Sequence, residues 1–212
     1  PTMCYHEVDL GNSLAISKDD DLNQWDKLNS NPITPDDTEL ETDKSGSINP
    51  HKRGYRSWDP FGWCSSGNYY AIFGGESPSV AKATQLNGKW HYIGDLFAHQ
   101  IEGISAEEDV SCPDLFRLGD KDILLCISHR MGCRYYVGKW KNEQYYPEHH
   151  AQMSWVDNTF FAPESLEDER GRRIMWAWLL DYRDLEARLY QGWSGTLSLP
   201  RVLNLGKDGL LE

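Results

Sequence analysis

The chain has 212 residues and a formal net charge of -12, which argues against nucleic acid or an anionic membrane surface as partner, because both require a basic footprint. Hydrophobic residues at 39% and charged residues at 25% are enough for a packed core and argue against disorder. No apolar run approaches the roughly 18 residues of a transmembrane helix; no secretory leader is visible, and the start at Pro1 rather than Met makes an N-terminally incomplete chain the expectation.

In chain order, Lys18 to Asp21 and Pro35-Asp36-Asp37 read as solvated loops around an early strand segment, Asn12 to Leu28. Short apolar and aromatic runs follow at Tyr69–Phe73, Trp90–Ile93, Ile123–Ile127, Tyr135–Val137 and Ile174–Leu180. Their Val, Ile, Tyr and Trp content, with turn residues between them, predicts β-strands joined by hairpins. Ser66-Gly67-Asn68, Leu86-Asn87-Gly88 and Glu169-Arg170-Gly171 are the expected turns, with Asn87-Gly88 the strongest type I′ signal. No stretch carries helical periodicity with caps at both ends, and no linker is evident, so residues 1–212 are expected to form one domain.

Three segments repeat: Asp59-Pro60-Phe61-Gly62-Trp63, Cys112-Pro113-Asp114-Leu115-Phe116 and Ala162-Pro163-Glu164-Ser165-Leu166. Each proline is followed by a glycine turn (Gly67, Gly119, Gly171) and then by a strongly apolar strand. A period near 50 residues in an all-β chain predicts β-propeller blades, each a four-stranded sheet. Proline suits the first residue of a strand or an edge, so it should mark where each innermost strand begins. Leu199-Pro200-Arg201 reads as a partial fourth copy. About four blades are expected here, with a fifth needed for closure.

Polar residues at the start of inner strands would converge on one axial funnel. Asp59, Asp109, Ser111, Asp157 and Glu164 occupy such positions. Several carboxylates in one pocket could supply the acid, base or nucleophile of glycoside chemistry. The nine Trp and eleven Tyr add rings that stack on sugars or pack between sheets. The five cysteines (Cys4, Cys64, Cys112, Cys126, Cys133) fit no zinc spacing and read mostly as buried thiols, so no metal or cofactor is expected. Weaker readings place His129 near the funnel, a metal at Glu148-His149-His150, and Arg130 and Arg134 either on substrate or in surface salt bridges.

The ordered motifs resemble glycoside hydrolase family 32, the invertase, inulinase and levanase family. Ser17 to Leu28 is similar to a Ser-x-Asp-Leu-x-x-Trp segment, and Ser57-Trp58-Asp59-Pro60-Phe61 to the Arg-Asp-Pro motif. Cys112 to Phe116 matches the tail of Glu-Cys-Pro-Asp-Leu-Phe, and Phe160 to Glu164 is similar to Phe-Tyr-Ala-Pro-Gln. Gly192-Trp193 with Leu199-Pro200-Arg201 resembles the closing stretch.

The resemblance implies a five-bladed propeller and a retaining mechanism with two carboxylates roughly 5 Å apart. It implies cleavage of β-fructofuranosyl bonds in sucrose or fructans. It makes Asp59 the transition-state stabiliser and Trp178 a wall of the sugar pocket. The family's Trp-Met-Asn-Asp-Pro nucleophile motif has no match, so the nucleophile is expected upstream of Pro1 or absent. Ser111 stands where the family has its acid/base Glu, and Trp58 where it has Arg. Asp109 becomes the candidate acid/base and Glu108 a weaker one, with Glu107 nearby. Trp58, Ser111, Trp178 and Glu164 are the expected substrate contacts. A related furanoside hydrolase or fructosyltransferase, a non-catalytic sugar-binding propeller, and an interaction propeller of the kelch or WD type are the alternatives. The expected partner is a sugar, with no nucleic acid and no membrane. Extracellular or periplasmic location is favoured over cytoplasmic, and the oligomeric state is left open.

Overall fold

Fifteen strands and one short helix form among the residues that the computed structural model describes, which are 2–5, 11–34, 57–105, 108–155 and 159–212. The expected loop at Pro35 to Asp37, Glu107 and Asp157 lie outside them, as does the side chain of Cys4. The chain divides into two compact units, Pro1–Phe97 with Asn142–Gln144, and Ala98–Lys141 with Tyr145–Glu212.

In the first unit, β1 (Thr2–Tyr5), β2 (Asn12–Ser17) and β3 (Trp25–Lys27) form a three-stranded antiparallel sheet. β4 (Trp58–Ser65), β5 (Asn68–Gly74), β6 (Ser79–Ala83) and β7 (His91–Asp95) form a four-stranded meander. Ala71, Phe73 and Ala81 of the meander pack with Leu14 and Ile33 in one apolar core.

The second unit holds a meander of β8 (Ser111–Leu118), β9 (Lys121–Ser128), β10 (Gly132–Lys141) and β11 (Gln144–Gln152). Beside it lies a sheet of β12 (Phe160–Glu167), β13 (Arg173–Leu179), β14 (Thr196–Leu197) and β15 (Arg201–Leu203), in which β14 and β15 both pair with β13. Ile127 and Val137 from the one sheet meet Phe160, Met175 and Ala177 from the other in a common core. Each large side chain fully buried there contributes about 1.5–3 kcal/mol. These short-turned antiparallel sheets are β-propeller blades.

The three-fold repeat is real at the level of backbone angles. β4, β8 and β12 each open their sheet as an edge strand. In each, the residue before the proline has positive φ: 41° at Asp59, 46° at Cys112 and 47° at Ala162. Each also carries a bulge at the same place. Register slips between Trp58 and Phe61, between Ser111 and Asp114, and between Phe161 and Glu164. One extra residue there bends the strand and re-aims its side chains. A proline disfavours the helical region for the residue before it. Each non-glycine residue held at positive φ costs about 1–3 kcal/mol, which the surrounding pairing must sustain. The glycine turns match as well, with φ of 76° at Gly67, 59° at Gly119 and 72° at Gly171.

Several expectations are corrected. Two-residue turns with positive φ at both positions form at Ser66-Gly67 and at Asn142-Glu143, not at Asn87-Gly88; Gly88 N donates to Gln85 O in an ordinary turn within the longer β6–β7 connection. Pro200 begins no fourth inner strand, because β15 completes the third repeat's sheet on β13. A helix, α1 (Leu185–Gln191), forms where none was predicted. Asp184 caps its start by accepting from Ala187 N, and Gly192 ends it with φ of 75°. Those two residues were the available signal. Cys126 and Cys133 are buried, but Cys64 is exposed.

Candidate active site

Two of the expected site residues, Trp58 and Asp59, lie in the first unit at the bulged start of β4. Trp58 is half-buried and pairs with Gly74, and Asp59 is exposed.

The second unit assembles the other residues. β8 and β9 run antiparallel with Ser111 opposite Ile127. The chain entering β8 therefore runs beside the chain leaving β9, and Asp109 meets Ser128 and His129. Asp109 is 6% exposed and accepts four hydrogen bonds. Its Oδ1 accepts from His129 N at 3.0 Å and Ser128 Oγ at 3.4 Å; its Oδ2 accepts from Ser111 Oγ at 2.9 Å. His129 Nδ1 lies 2.7 Å from the same Oδ2.

Burial alone would raise the Asp109 pKa, but the bonds from His129 and Ser111 outweigh it and hold the carboxyl below its ordinary value. So placed, Asp109 is an ionised acceptor and a poor proton donor. A carboxylate can only accept, so His129 Nδ1 carries a hydrogen. Proton exchange at the ring then falls to Nε2. The His129 side chain is 56% exposed.

Glu108 faces the opposite way, into the sheet. Its Oε1 lies 2.9 Å from Arg134 Nε, and both side chains are under 5% exposed. The pair is ionic rather than a well-aligned hydrogen bond, since neither atom makes one. Burial raises the Glu108 pKa against the pull of Arg134. Arg134 also donates to His150 Nδ1 at 2.7 Å, which fixes the His150 tautomer so that Nε2 donates to Glu102 O at 3.0 Å. Arg134 is thus a buried partner of Glu108, not a surface salt bridge. Glu148 pairs with Lys121, and His149 and His150 lie on β11. Among the described residues no group of His, Cys, Asp or Glu could hold a metal ion.

An aromatic wall flanks the Asp109–His129 pair. The Phe161 ring meets His129 edge-on at 5.7 Å and Trp178 edge-on at 6.3 Å. Phe161 and Trp178 are cross-strand partners on β12 and β13. Trp178 is 45% exposed. Sequence reasoning missed Phe161, whose signal was its place before the third repeat's Ala162-Pro163. Glu164, after the bulge on the same strand, is exposed and pairs with Trp176.

The Trp178 indole rests on Gly195. A Cβ there would come within 2.1 Å of Trp178 Nε1, and Gly195 has φ of 71°. Asp181 steadies that loop by accepting from Gly195 N and from Arg183, whose guanidinium lies 4.0 Å over the Trp193 ring. Gly195→Ala is expected to lose about 1–2 kcal/mol from the left-handed backbone alone and to push the indole from its seat. Urea denaturation and aromatic circular dichroism would check this; an unaltered spectrum would contradict the seating.

The family model for the glycosyl hydrolases family 32 N-terminal domain matches residues 7–212. The chain belongs to glycosyl hydrolase family 32. This family 32 chain is 27% identical over 201 residues to a sucrose-6-phosphate hydrolase of Bacillus subtilis, covering 83% of the chain and 42% of the relative. It resembles the fructan 1-exohydrolase IIa of Cichorium intybus solved with 1-kestose, with a TM-score of 0.70, 20% identity, and coverage of 94% of this chain and 40% of that one. It also resembles a Bombyx mori β-fructofuranosidase solved with sucrose, with a TM-score of 0.67, 20% identity, and coverage of 93% and 42%. At those identities the two structures establish the fold. The family 32 chain spans less than half the length of each of these three proteins.

Proposed function

We propose that the protein is a glycoside hydrolase that cleaves β-fructofuranosyl bonds in sucrose or fructans with retention of configuration. Retention takes two displacements: a carboxylate attacks the anomeric carbon while a proton donor serves the leaving oxygen, and water then releases the sugar. The observation that carries this reading is the exposed His129 ring, held by the buried Asp109 beside the Phe161–Trp178 wall. A furanose needs both an apolar face to lie against and a proton-transfer group at its bridging oxygen. Family membership supports the reading, as do the relatives solved with sucrose and 1-kestose.

Asp59, carried over from the motif it matches, is assigned to transition-state stabilisation from its own blade. Trp58, Ser111 and Glu164 are assigned to substrate contact. We further propose that residues 1–212 belong to a single propeller domain.

The full protein is expected to release fructose from sucrose, inulin or levan, with the β-anomer appearing first by NMR. Calorimetric sugar binding without any release would favour a sugar-binding propeller instead. That second reading is favoured by Ser111, whose hydroxyl cannot protonate a leaving oxygen at neutral pH.

A further inference from the structure

We infer that His129, held by Asp109, is the general acid and base of this site. The inference rests on the hydrolase reading above. Glycoside cleavage needs a group that can give a proton to the leaving oxygen. Among the described residues, three side chains at the start of β8 could be asked to do so. Ser111 is a hydroxyl that already donates to Asp109 Oδ2. Glu108 is buried in an ion pair with Arg134. Asp109 is 6% exposed, and four donors converge on it.

His129 differs from all three. Its Nδ1 is anchored at 2.7 Å on Asp109 Oδ2. Its side chain is more than half exposed. Its ring stands edge-on to Phe161, the first member of the aromatic wall. The carboxylate holds the ring by Nδ1 and leaves Nε2 as the nitrogen that exchanges protons, the arrangement of a histidine oriented by an acidic residue.

In the first displacement, the imidazolium gives its Nε2 proton to the glycosidic oxygen as the bond from that oxygen to the anomeric carbon breaks. The bonding pair stays on the oxygen, and the carboxylate nucleophile bonds to the carbon. In the second, neutral Nε2 takes a proton from water, the water oxygen bonds to the carbon, and the carboxylate leaves. The imidazolium is restored.

The test compares leaving groups in the full protein. Sucrose needs its leaving oxygen protonated, whereas a nitrophenyl β-fructofuranoside releases a stable phenolate without help. In His129→Gln, kcat/KM for sucrose is expected to fall about 100-fold or more, the usual worth of general acid catalysis. The nitrophenyl substrate should lose only a few-fold in its bond-breaking step, seen in single-turnover kinetics. Folding should survive, because His129 N still donates to Asp109. Asp109→Asn should show the same leaving-group split more weakly, as expected of a positioning residue. Equal losses on both substrates, or no loss on sucrose, would overturn the role of His129 while leaving the hydrolase reading intact. A wild type that cleaves neither substrate would overturn the hydrolase reading, and this inference with it.

Discussion

Asp109→Ala is expected to destabilise the protein by about 4 kcal/mol. The carboxylate accepts from Ser111, Ser128 and both the backbone and ring nitrogens of His129. Hydrogen bonds to a charged group are worth about 1.5–3 kcal/mol each, and buried donors left without partners cost about 1–3 kcal/mol more. The effects overlap, so the total falls short of their sum. Asp109→Asn should lose about half as much, because its amide oxygen still accepts while its NH₂ opposes the Ser111 and His129 donors.

The pH dependence has a definite sign. Asp109 has a folded pKa below its ordinary 3.8, so its contribution is present above that value and is lost as pH falls through the folded one. Urea denaturation midpoints, with unchanged slopes, would measure it. A loss under about 1 kcal/mol for the alanine variant would mean that the cluster is not what holds β8 to the end of β9.

Asp114 should act in the opposite direction. It is 1% exposed and accepts from Ser165 Oγ at 2.5 Å, linking β8 to β12. Burial raises its pKa to about 6, against the opposing effects of Ser165 and Arg173. A carboxyl raised in the folded state favours folding when protonated. Its contribution is fully present below the unfolded value of 3.8 and is lost as pH rises through about 6. At 1.36 kcal/mol per pH unit, the whole loss is roughly 3 kcal/mol, most of it between pH 4 and 7. Asp114→Asn cannot ionise and still offers an oxygen to Ser165. The variant is therefore expected to gain on the wild type across that window and to be the more stable of the two at pH 7. Comparing the two by urea denaturation at each pH isolates this one group. A difference that stays constant from pH 4 to 7 would rule out the buried charge as its source.

Much of the fold is written locally. Glycine after a short apolar run, followed by another apolar run, marks the first hairpin of each repeat, because positive φ at Gly67, Gly119 and Gly171 is nearly free only without a side chain. The three prolines mark the first strand of each repeat, since a residue with no N–H belongs at an edge or a bulge. The all-β class, the repeat and the family resemblance were legible from such signals. Pro200 carried the same signal and misled, because its strand joins a sheet that already has its bulged edge. Asp184 and Gly192 signalled a helix too short for its periodicity to show.

The chemical state of the site was not legible in the same way. Asp109 and Ser111 were candidates by position, but nothing in the sequence tells whether Asp109 gives or only receives hydrogen. That depends on His129, twenty residues away, which reaches it only because Ser111 pairs with Ile127. Glu108, next in the chain, has a different fate for the same reason, turned into the sheet onto Arg134. Local chemistry determines where strands begin and turn; register and burial, which only the folded sheet creates, decide which carboxylate is held ionised, which is locked in an ion pair, and which histidine faces out.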